Sequence, residues 1–506
     1  MLDTAWSCLK SGTDIRGVAD AGGGKTVTLT DDVVTAIAHG FALWLAEKTG
    51  VPCDALVVAV GHDSRISAPR IGAVFREALA QVGVRVLDCG LASTPAMYFA
   101  IAEFGCHGAV ELTASHHPFD RNGFKFFTAI GGLESADITA ILTHAQAGER
   151  PPVGQGSIEK SDAMERYCRR LRNMILQGVG AQPGDQPLAG FHIVVDAGNG
   201  AGGFYAGKVL QPLGADISGS CFLEPNGYFP NHVPNPEDPQ AMAAVCHAVQ
   251  TVKADLGIIF DTDVDRGGAV DSTGAEINRN RLVALAAAIA LEDCPGGTIV
   301  TDSITSDGLT VFLEQRLGGR HHRFKRGYKN VINEAIALNQ QGIDAPLAIE
   351  TSGHAAFAEN GFLDDGAYLV TRLVIQMVKL RHEGRQLQDL LRDLQEPLET
   401  VELRLPITEP NFCTCGERVI AALTEFARQQ PHWTVAPQNY EGIRCSFGAQ
   451  DGDGWCLLRL SVHDPLLPLN IESNCAGGTR QIAKELARFF DTCQGVDITL
   501  LREFLA

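Results

Sequence analysis

Four short stretches of the chain bring chemically able side chains together. In the first, Ser115 is followed by His116, His117 and Pro118, with Asn122, Gly123, Phe124 and Lys125 close behind. A serine hydroxyl is a poor nucleophile at neutral pH unless a base, a metal or a positive site activates it. The two histidines and the lysine are candidates for those roles, although the residues alone also fit a polar turn. In the second, Asp261, Asp263 and Asp265 alternate with Thr262 and Val264 and are followed by Arg266. Alternate residues of an extended loop point the same way. Three carboxylates so placed repel one another unless something positive neutralises them, and hard oxygen ligands suit Mg²⁺. The stretch lacks the glycine and terminal glutamate of a calcium-binding EF-hand loop. The third, Glu350-Thr351-Ser352-Gly353-His354, offers a carboxylate, hydroxyls and an imidazole to grip sugar hydroxyls, and equally fits a helix N-cap. In the fourth, Arg459, Ser461 and His463 precede Asp464 and Pro465. An arginine fork beside hydroxyl and imidazole groups suits a phosphate, and a strand end with a surface arginine fits equally well.

The elements that must position these side chains follow from the apolar pattern. Residues 55–60 (ALVVAV) predict a buried strand, 68–82 a helix and 84–88 a strand. A strand over 108–112 delivers Ser115, and FHIVVD (191–196) runs into AGNGAGG. GIIFD (257–261) ends in the acidic loop, GTIVTD (297–302) ends before a helix, and the apolar stretch 345–349 leads into Glu350. Continuous apolar runs separated by helical patterns predict parallel sheets covered on both faces, whose ligands collect at the carboxyl ends of the strands. The strand-then-loop pattern recurs near residues 55, 191 and 297, which implies three similar α/β units. The remainder, about 400–506, has strand candidates at 400–405 and 455–460 and a helix from Gly478, and reads as a smaller α+β domain. Breaks fall at 148–156, 271–275 and 394–400.

Composition bounds the function. A chain of 506 residues, 45% hydrophobic and 20% charged, can bury several cores, and its length predicts about three to five domains. The balance of 41 Lys+Arg against 60 Asp+Glu, a formal charge of −19, argues against a broad surface for nucleic acid or acidic membrane. It leaves room for a local basic pocket that takes a small anion. Mean hydropathy is near zero, and no apolar run reaches the roughly 20 residues of a membrane span. The 14 cysteines are scattered and the N-terminus lacks a signal-peptide pattern, so free thiols in a reducing, cytoplasmic compartment are expected. Cys413 and Cys415 form the close pair, but no second pair has zinc spacing. The 54 glycines, with no low-complexity tract, point to tight turns and close backbone approaches.

Taken together, the four stretches resemble the α-D-phosphohexomutase superfamily, which includes phosphoglucomutase, phosphomannomutase and phosphoglucosamine mutase. TASHHP resembles the family's phosphoserine loop, DTDVDR its metal loop, ETSGH its sugar-binding loop and RLSVHDP its phosphate-binding loop, all in family order. GTDIRG (12–17), VGHDSRISAP (60–69), VVDAGNGAGG (194–203) and FPNHVPNPE (229–237) match as well. The resemblance implies an α/β, four-domain, heart-shaped architecture: 1–155 with the phosphoserine loop, 156–272 with the metal loop, 273–397 with the sugar loop and a C-terminal α+β phosphate-binding domain, 398–506. It implies a mutase that moves phosphate between the 1- and 6-positions of a glucose or mannose phosphate through phosphoserine and a bisphosphorylated sugar. Ser115 would carry the phosphoryl group, and Asp261, Asp263 and Asp265, with a phosphoserine oxygen of Ser115, would bind Mg²⁺. Arg16 and Lys125 would lie near the phosphoserine, with Lys125 a candidate general base. His116 would support the loop and Arg266 would stabilise charge at the transfer centre. Glu350, Ser352 and His354, with Gly327, Tyr328 and Lys329, would bind the sugar phosphate, and Arg459, Ser461 and His463 would anchor its non-reacting phosphate. A glucose 1,6-bisphosphate-type activator, a small-molecule sugar phosphate as partner, and a monomer or homodimer are implied.

The chain departs from the family pattern at several points. His117 replaces the usual Asn, Ile349 and Thr351 replace common residues of the sugar loop, and His463 and Asp464 replace Thr and Glu. Pro468 falls near a second phosphate-binding arginine of many members, and Tyr328 sits where a histidine is often placed. Phosphoglucosamine mutase, or a mutase for another phosphosugar, is therefore the alternative. A non-catalytic sugar-phosphate-binding protein is the alternative of a different class.

Overall fold

The computed structural model describes residues 2–461 and 464–506. The chain forms two compact units: the first comprises residues 1–282, 352–356 and 363–389, and the second residues 283–351, 357–362 and 390–506.

In the first unit, the leading sheet is built from β1 (Lys10–Ser11), β2 (Asp14–Val18), β3 (Val57–His62), β4 (Arg85–Leu91), β5 (Gly108–Leu112), β6 (Arg121–Thr128), β7 (Gly131–Gly132) and β8 (Ser157–Lys160). Their order is β1-β2-β6-β5-β3-β4-β8, with β7 paired to β6. The period-2 alternation of strands decides which side chains reach the site. Ile15, Val58, Val60, Val110, Leu112, Phe124 and Phe126 enter one apolar core. The residues between them, Arg16, Glu111 and Lys125, are turned to the opposite face, and Glu111 stands directly across from Lys125 in the β5–β6 register. Helix Asp31–Thr49 covers the core face, capped at its start by Thr30 and stopped by Gly50 in the left-handed region.

A second sheet in this unit has the order β12-β11-β10-β9, from β9 (Ile193–Asp196), β10 (Leu256–Phe260), β11 (Gly267–Asp271) and β12 (Glu276–Ile277). Val194, Ile259 and Val270 pack with Met242, Val245 and Val249 of helix Pro239–Val252, which is capped by Asp238 and has Pro239 in its first turn. In the second unit, β13 (Thr298–Thr301) lies between β14 (Arg320–Arg323) and β15 (Leu347–Ile349), all parallel; the short strand β16 (Ala355–Phe357) follows in the chain. The C-terminal sheet is antiparallel, in the order β17-β21-β20-β19-β18, from β17 (Glu399–Pro406), β18 (Trp433–Val435), β19 (Ile443–Phe447), β20 (Gly454–Leu458) and β21 (Leu466–Ser473). Helices Phe412–Arg428 and Gly478–Phe490 complete its core.

Each strand read from the apolar pattern is present within a few residues. The expectation of purely parallel sheets is corrected at two places that matter. β3 runs parallel to β4 and β5, but β5–β6 and β10–β11 are antiparallel. The connections are only residues 113–120 and 261–266, whereas a parallel return needs a crossover of about a dozen residues or more. The serine and the aspartates therefore lie in hairpin loops. Among the described residues no helix is long and apolar enough to cross a membrane, and the 14 cysteines are free thiols.

Candidate functional site

The first unit holds a buried centre around the two hairpin loops. β5 delivers Ser115, which is 2% exposed and adopts φ 51°, the left-handed region that non-glycine residues rarely enter. Its N–H donates to Thr113 Oγ1 at 2.8 Å. Its hydroxyl donates to Asp261 Oδ2 at 3.2 Å and lies 3.2 Å from His116 Nδ1. Burial first, then the charge of Arg266, pushes the His116 imidazole down to about 2, and burial with Arg16 pushes His117 down to about 3. Both rings are therefore neutral at physiological pH.

Asp261, Asp263 and Asp265 are all buried, and one carboxylate oxygen from each lies within 4.8 Å of the others. Burial first, then Asp265 and Asp263, pushes the Asp261 carboxyl well up. Burial acts against the Asp265 carboxylate too, but the charges of Lys125 and Arg266 hold it below the usual range. Lys125 Nζ donates to Asp263 Oδ2 at 2.7 Å and also pairs with Asp265. This buried, hard-oxygen set fits a divalent cation. Val264 between the ligands has φ 68°, an unfavourable conformation for a β-branched residue. Neighbouring loops hold it: Gly366 N–H donates to the Val264 carbonyl at 3.1 Å and Ala201 N–H to the Thr262 carbonyl at 2.8 Å. Gly200 is needed for that approach, since a Cβ there would come within 2.6 Å of Thr262 O.

Arg266 is fixed from several sides. Its Nε donates to His354 Nε2 at 2.9 Å, and Nη1 lies 3.6 Å from Glu237. His354 Nε2 must then accept, so Nδ1 carries the proton to Asp364 Oδ2 at 2.6 Å. His354 is 6% exposed, placed to orient Arg266. Gly353 has φ +95°, and a Cβ there would stand 2.7 Å from Gly267 O, so this close approach requires glycine. Ser352, also buried, belongs to the same unit. Arg16 on β2 pairs with Asp14 at 2.7 Å and lies within electrostatic reach of both loop histidines.

The second unit holds Glu350, Gly327, Tyr328, Lys329, Arg459 and Ser461. Gly327, at φ 114°, precedes helix Tyr328–Gln340, and its N–H donates to Glu350 Oε1 at 2.6 Å. Arg326 N–H donates to Glu441 Oε1 at 3.0 Å. Arg459 Nε is buried with no partner among the described residues. Burial first, then the charge of Arg326, lowers the Arg459 pKa. Two guanidinium groups in mutual repulsion, one with an unused buried N–H, suit an anion. Ser461 Oγ accepts from Asp464 N–H at 3.3 Å. His463 lies outside the described residues.

Sequence reasoning missed several contributors. Thr94, at the start of helix Thr94–Phe104, donates its hydroxyl to Asp263 Oδ2 at 2.5 Å; the Ser-Thr-Pro helix start was its signal. Asp364 has no sequence signal, being brought to His354 by the fold. Asp302, directly after β13, accepts from Thr351 at 2.8 Å and is pushed up to about 7 by burial and then by Glu350. Glu111 is buried with both carboxyl oxygens unpartnered; burial, then Asp63 and Asp263, raises it well above the carboxylate range. Arg65 falls inside the matched VGHDSRISAP stretch without an assigned role.

The chain matches the family models described as phosphoglucomutase/phosphomannomutase alpha/beta/alpha domain I over residues 9–151, domain II over 165–274 and domain III over 278–398. It is 31% identical over 467 residues to a phosphomannomutase/phosphoglucomutase of Pseudomonas putida, covering 91% of this chain and 90% of the relative. It is 31% identical over 475 residues to a phosphoglucomutase of Neisseria gonorrhoeae, covering 93% and 94%. A phosphoglucosamine mutase of Corynebacterium jeikeium is 28% identical over 486 residues, covering 94% and 98%. Among solved structures, a phosphoglucomutase/phosphomannomutase family protein from Burkholderia thailandensis superimposes with a TM-score of 0.78 at 27% identity, covering 97% of this chain and 98% of that one.

Proposed function

The chain belongs to the phosphoglucomutase/phosphomannomutase family of mutases, and from that premise we propose that it exchanges phosphate between the 1- and 6-positions of a glucose or mannose phosphate, with Ser115 as the phosphoryl carrier. The observation that supports this most is the Ser115 hydroxyl donating to Asp261 beside two further buried aspartates and Lys125. A nucleophile, a cation-binding set and a fixed cation meet there within one unit.

In this reading a sugar hydroxyl oxygen bonds to the phosphorus of phospho-Ser115 and the P–Oγ bond breaks. The bisphosphorylated sugar turns, and its other phosphate returns to Ser115. Lys125 is the candidate general base, a role that requires its amine first to release the proton it holds against Asp263 and Asp265. Arg266, oriented by His354, and Arg16 face charge on the transferring group. Asp261, Asp263 and Asp265 would hold Mg²⁺, which when bound supplies charge neutralisation and orientation. Glu350 and Ser352 would bind sugar hydroxyls, Gly327, Tyr328 and Lys329 would contribute to sugar-phosphate binding, and Arg459, Ser461 and His463 would anchor the idle phosphate. The intermediate carries about −3 to −4, at roughly −1.5 to −2 per phosphate ester, so this local positive charge is required on a chain of −19. We further read four domains, 1–155, 156–272, 273–397 and 398–506, a cytoplasmic protein, a monomer or homodimer, and activation by a glucose 1,6-bisphosphate-type compound.

Protein incubated with Mg²⁺, glucose 1,6-bisphosphate and glucose 1-phosphate should yield glucose 6-phosphate, and repeating the assay with mannose, glucosamine and ribose phosphates ranks the sugars. Preference for glucosamine phosphate would replace the hexose reading. No turnover on any of them, in protein shown by intact mass to carry phosphate, would overturn the enzyme reading in favour of a binding protein.

A further inference from the structure

The side chain of Arg65, just beyond β3, is fully buried and spends its guanidinium on the loop that carries Ser115. Nη1 donates to the carbonyls of Pro118 at 2.8 Å and Arg121 at 2.9 Å. Nη2 donates to the carbonyl of His117 at 2.7 Å and to that of Ser115 itself. Nε lies 3.3 Å from Asp63. Asp63 in turn takes a side-chain hydrogen bond from Thr113, whose hydroxyl accepts the Ser115 N–H. The ring of Phe229 lies 5.4 Å from the guanidinium carbon. Its segment packs so closely that a Cβ on Gly227 would run into Ser64 O and Ile66 N.

We propose that Arg65 is a positioning residue for phosphoryl transfer, a guanidinium clamp that gathers the carbonyls of Ser115, His117, Pro118 and Arg121 and thereby holds Ser115 in its left-handed conformation, with its hydroxyl on Asp261. The proposal rests on the reading of Ser115 as the phosphoryl carrier.

Three physical points carry it. First, the two terminal nitrogens of a guanidinium present four N–H groups in one plane, matched here by four carbonyls from both ends of one loop. An ammonium has three donors radiating from one atom and cannot close the same set. Second, Ser115 sits where the backbone is costly, and such a conformation persists only where its surroundings over-determine it. Asp63, Thr113 and Arg65 supply that determination. Third, a serine that is phosphorylated and dephosphorylated in every cycle changes its charge by about two units. Carbonyl oxygens drawn onto Arg65 cannot turn toward the dianion, and the buried cation lies behind the loop in both states. A loop tied only by neutral turns would have to reorganise at each transfer, which preorganisation avoids.

The test compares Arg65→Lys with wild type at full length and in Mg²⁺. Three quantities are read: turnover per molecule shown by intact mass to carry phosphate, KM for the sugar phosphate, and amide exchange of residues 113–120. Clamping predicts a fall in kcat of about 10²-fold with KM within about threefold, as expected for a misplacement near the chemistry. Exchange should rise in 113–120 and remain unchanged in 261–266. A kcat within threefold of wild type with unchanged exchange would overturn the clamp and leave Arg65 as buried structural charge. If Arg65→Lys does not fold, Phe229→Leu opens the guanidinium to water while keeping all its donors. Faster exchange confined to 113–120 with a lowered kcat supports the clamp, and unchanged exchange there overturns it. A wild type without turnover removes the carrier reading of Ser115, while the exchange measurement still decides whether Arg65 holds the loop.

Discussion

The centre around Ser115 and the group around Arg459 solve opposite electrostatic problems. At the first, Ser115 and the three aspartates are at most 2% exposed, and fixed partners surround them: Lys125 on two carboxylates, Thr94 on Asp263, and Arg266 locked by His354 and Asp364. At the second, Arg326, Tyr328, Lys329, Arg459 and Ser461 are half-buried, and the buried Nε of Arg459 has no partner among the described residues. Burying charge is costly unless it is compensated. The first region compensates part of its charge internally and, among the described residues, leaves Asp263 Oδ1, Asp265 Oδ1 and both Glu111 oxygens without a partner, acceptor capacity that suits a cation. The second has Glu441, Glu402 and Asp302 within electrostatic reach of Arg459 and still leaves one buried N–H of that guanidinium unused, donor capacity that suits an anion. In the proposed reading one region serves the transition state and the other grips the ligand, and this difference sets the expected order of mutational effects.

The largest effect belongs to Ser115→Ala. Removing the atom that carries the phosphoryl group should lower turnover by about 10⁴-fold or more while the melting temperature stays near that of wild type. A coupled assay of sugar 6-phosphate formation reads it, and retained activity would move the nucleophile elsewhere. Next is Asp263→Asn, which weakens acceptors for Thr94 and Lys125 and one of the three cation-binding carboxylates. Turnover should fall by about 10³-fold and divalent-cation affinity by about 10–100-fold, the latter measured by titration calorimetry without substrate. Normal cation affinity in this variant would break the assignment of the triad.

Much of the first region was legible because hairpin loops keep their chemistry contiguous in sequence: Ser115 to Lys125, and Asp261 to Arg266. Alternation then assigned faces, with Phe124 and Phe126 in the core and Lys125 opposite. The hairpins themselves were not legible, since a continuous apolar run such as 256–260 fits a parallel or an antiparallel strand equally. Arg65, Thr94 and Asp364 were missed for a related reason. Arg65 and Thr94 act on loops distant in sequence, while Asp364, ten residues from His354, stands in no motif, and the VGHDSRISAP stretch does not show that its arginine binds backbone carbonyls. The second region was less legible still. Its donors come from separate stretches, Arg326 to Lys329, Glu350 and Arg459, and Glu441, which receives the Arg326 N–H, stands in no motif.

A smaller effect, of a different kind, distinguishes grip from chemistry. Arg459→Met removes a phosphate-type donor but no group placed at Ser115. KM should rise about 10–100-fold with kcat within about fivefold, a loss of uniform binding. A kcat that fell as steeply as in Asp263→Asn would erase the contrast between the two regions.

The smallest expected effect concerns stability and two of the acids buried in the second unit, Glu472 and Asp302. Glu472 on β21 faces Trp455 on β20, and Trp455 Nε1 donates to it at 2.9 Å. The Arg444 guanidinium stacks 3.6 Å from the Trp455 ring and donates to Asp307 at 2.9 Å. Burial outweighs the attraction of Arg444 and pushes the Glu472 carboxyl up to about 7, against about 4.3 in an unfolded chain. The folded protein therefore holds this proton more tightly than the unfolded one. Its stabilising contribution is complete below about pH 4, is lost as pH rises toward 7 and is absent above, a change on the order of 4 kcal/mol. Asp302 acts in the same sense through its own window, also ending near 7. Glu472→Gln keeps an acceptor for Trp455 and removes the titration. The stability of wild type should fall more steeply than that of the variant between pH 5 and 8, the two curves differing by that amount in denaturant midpoints. Asp302→Asn should flatten the remaining slope. Parallel curves for wild type and Glu472→Gln would mean that Arg444 keeps Glu472 ionised. The second unit would then compensate its buried acids with fixed cations, as the Ser115 centre does.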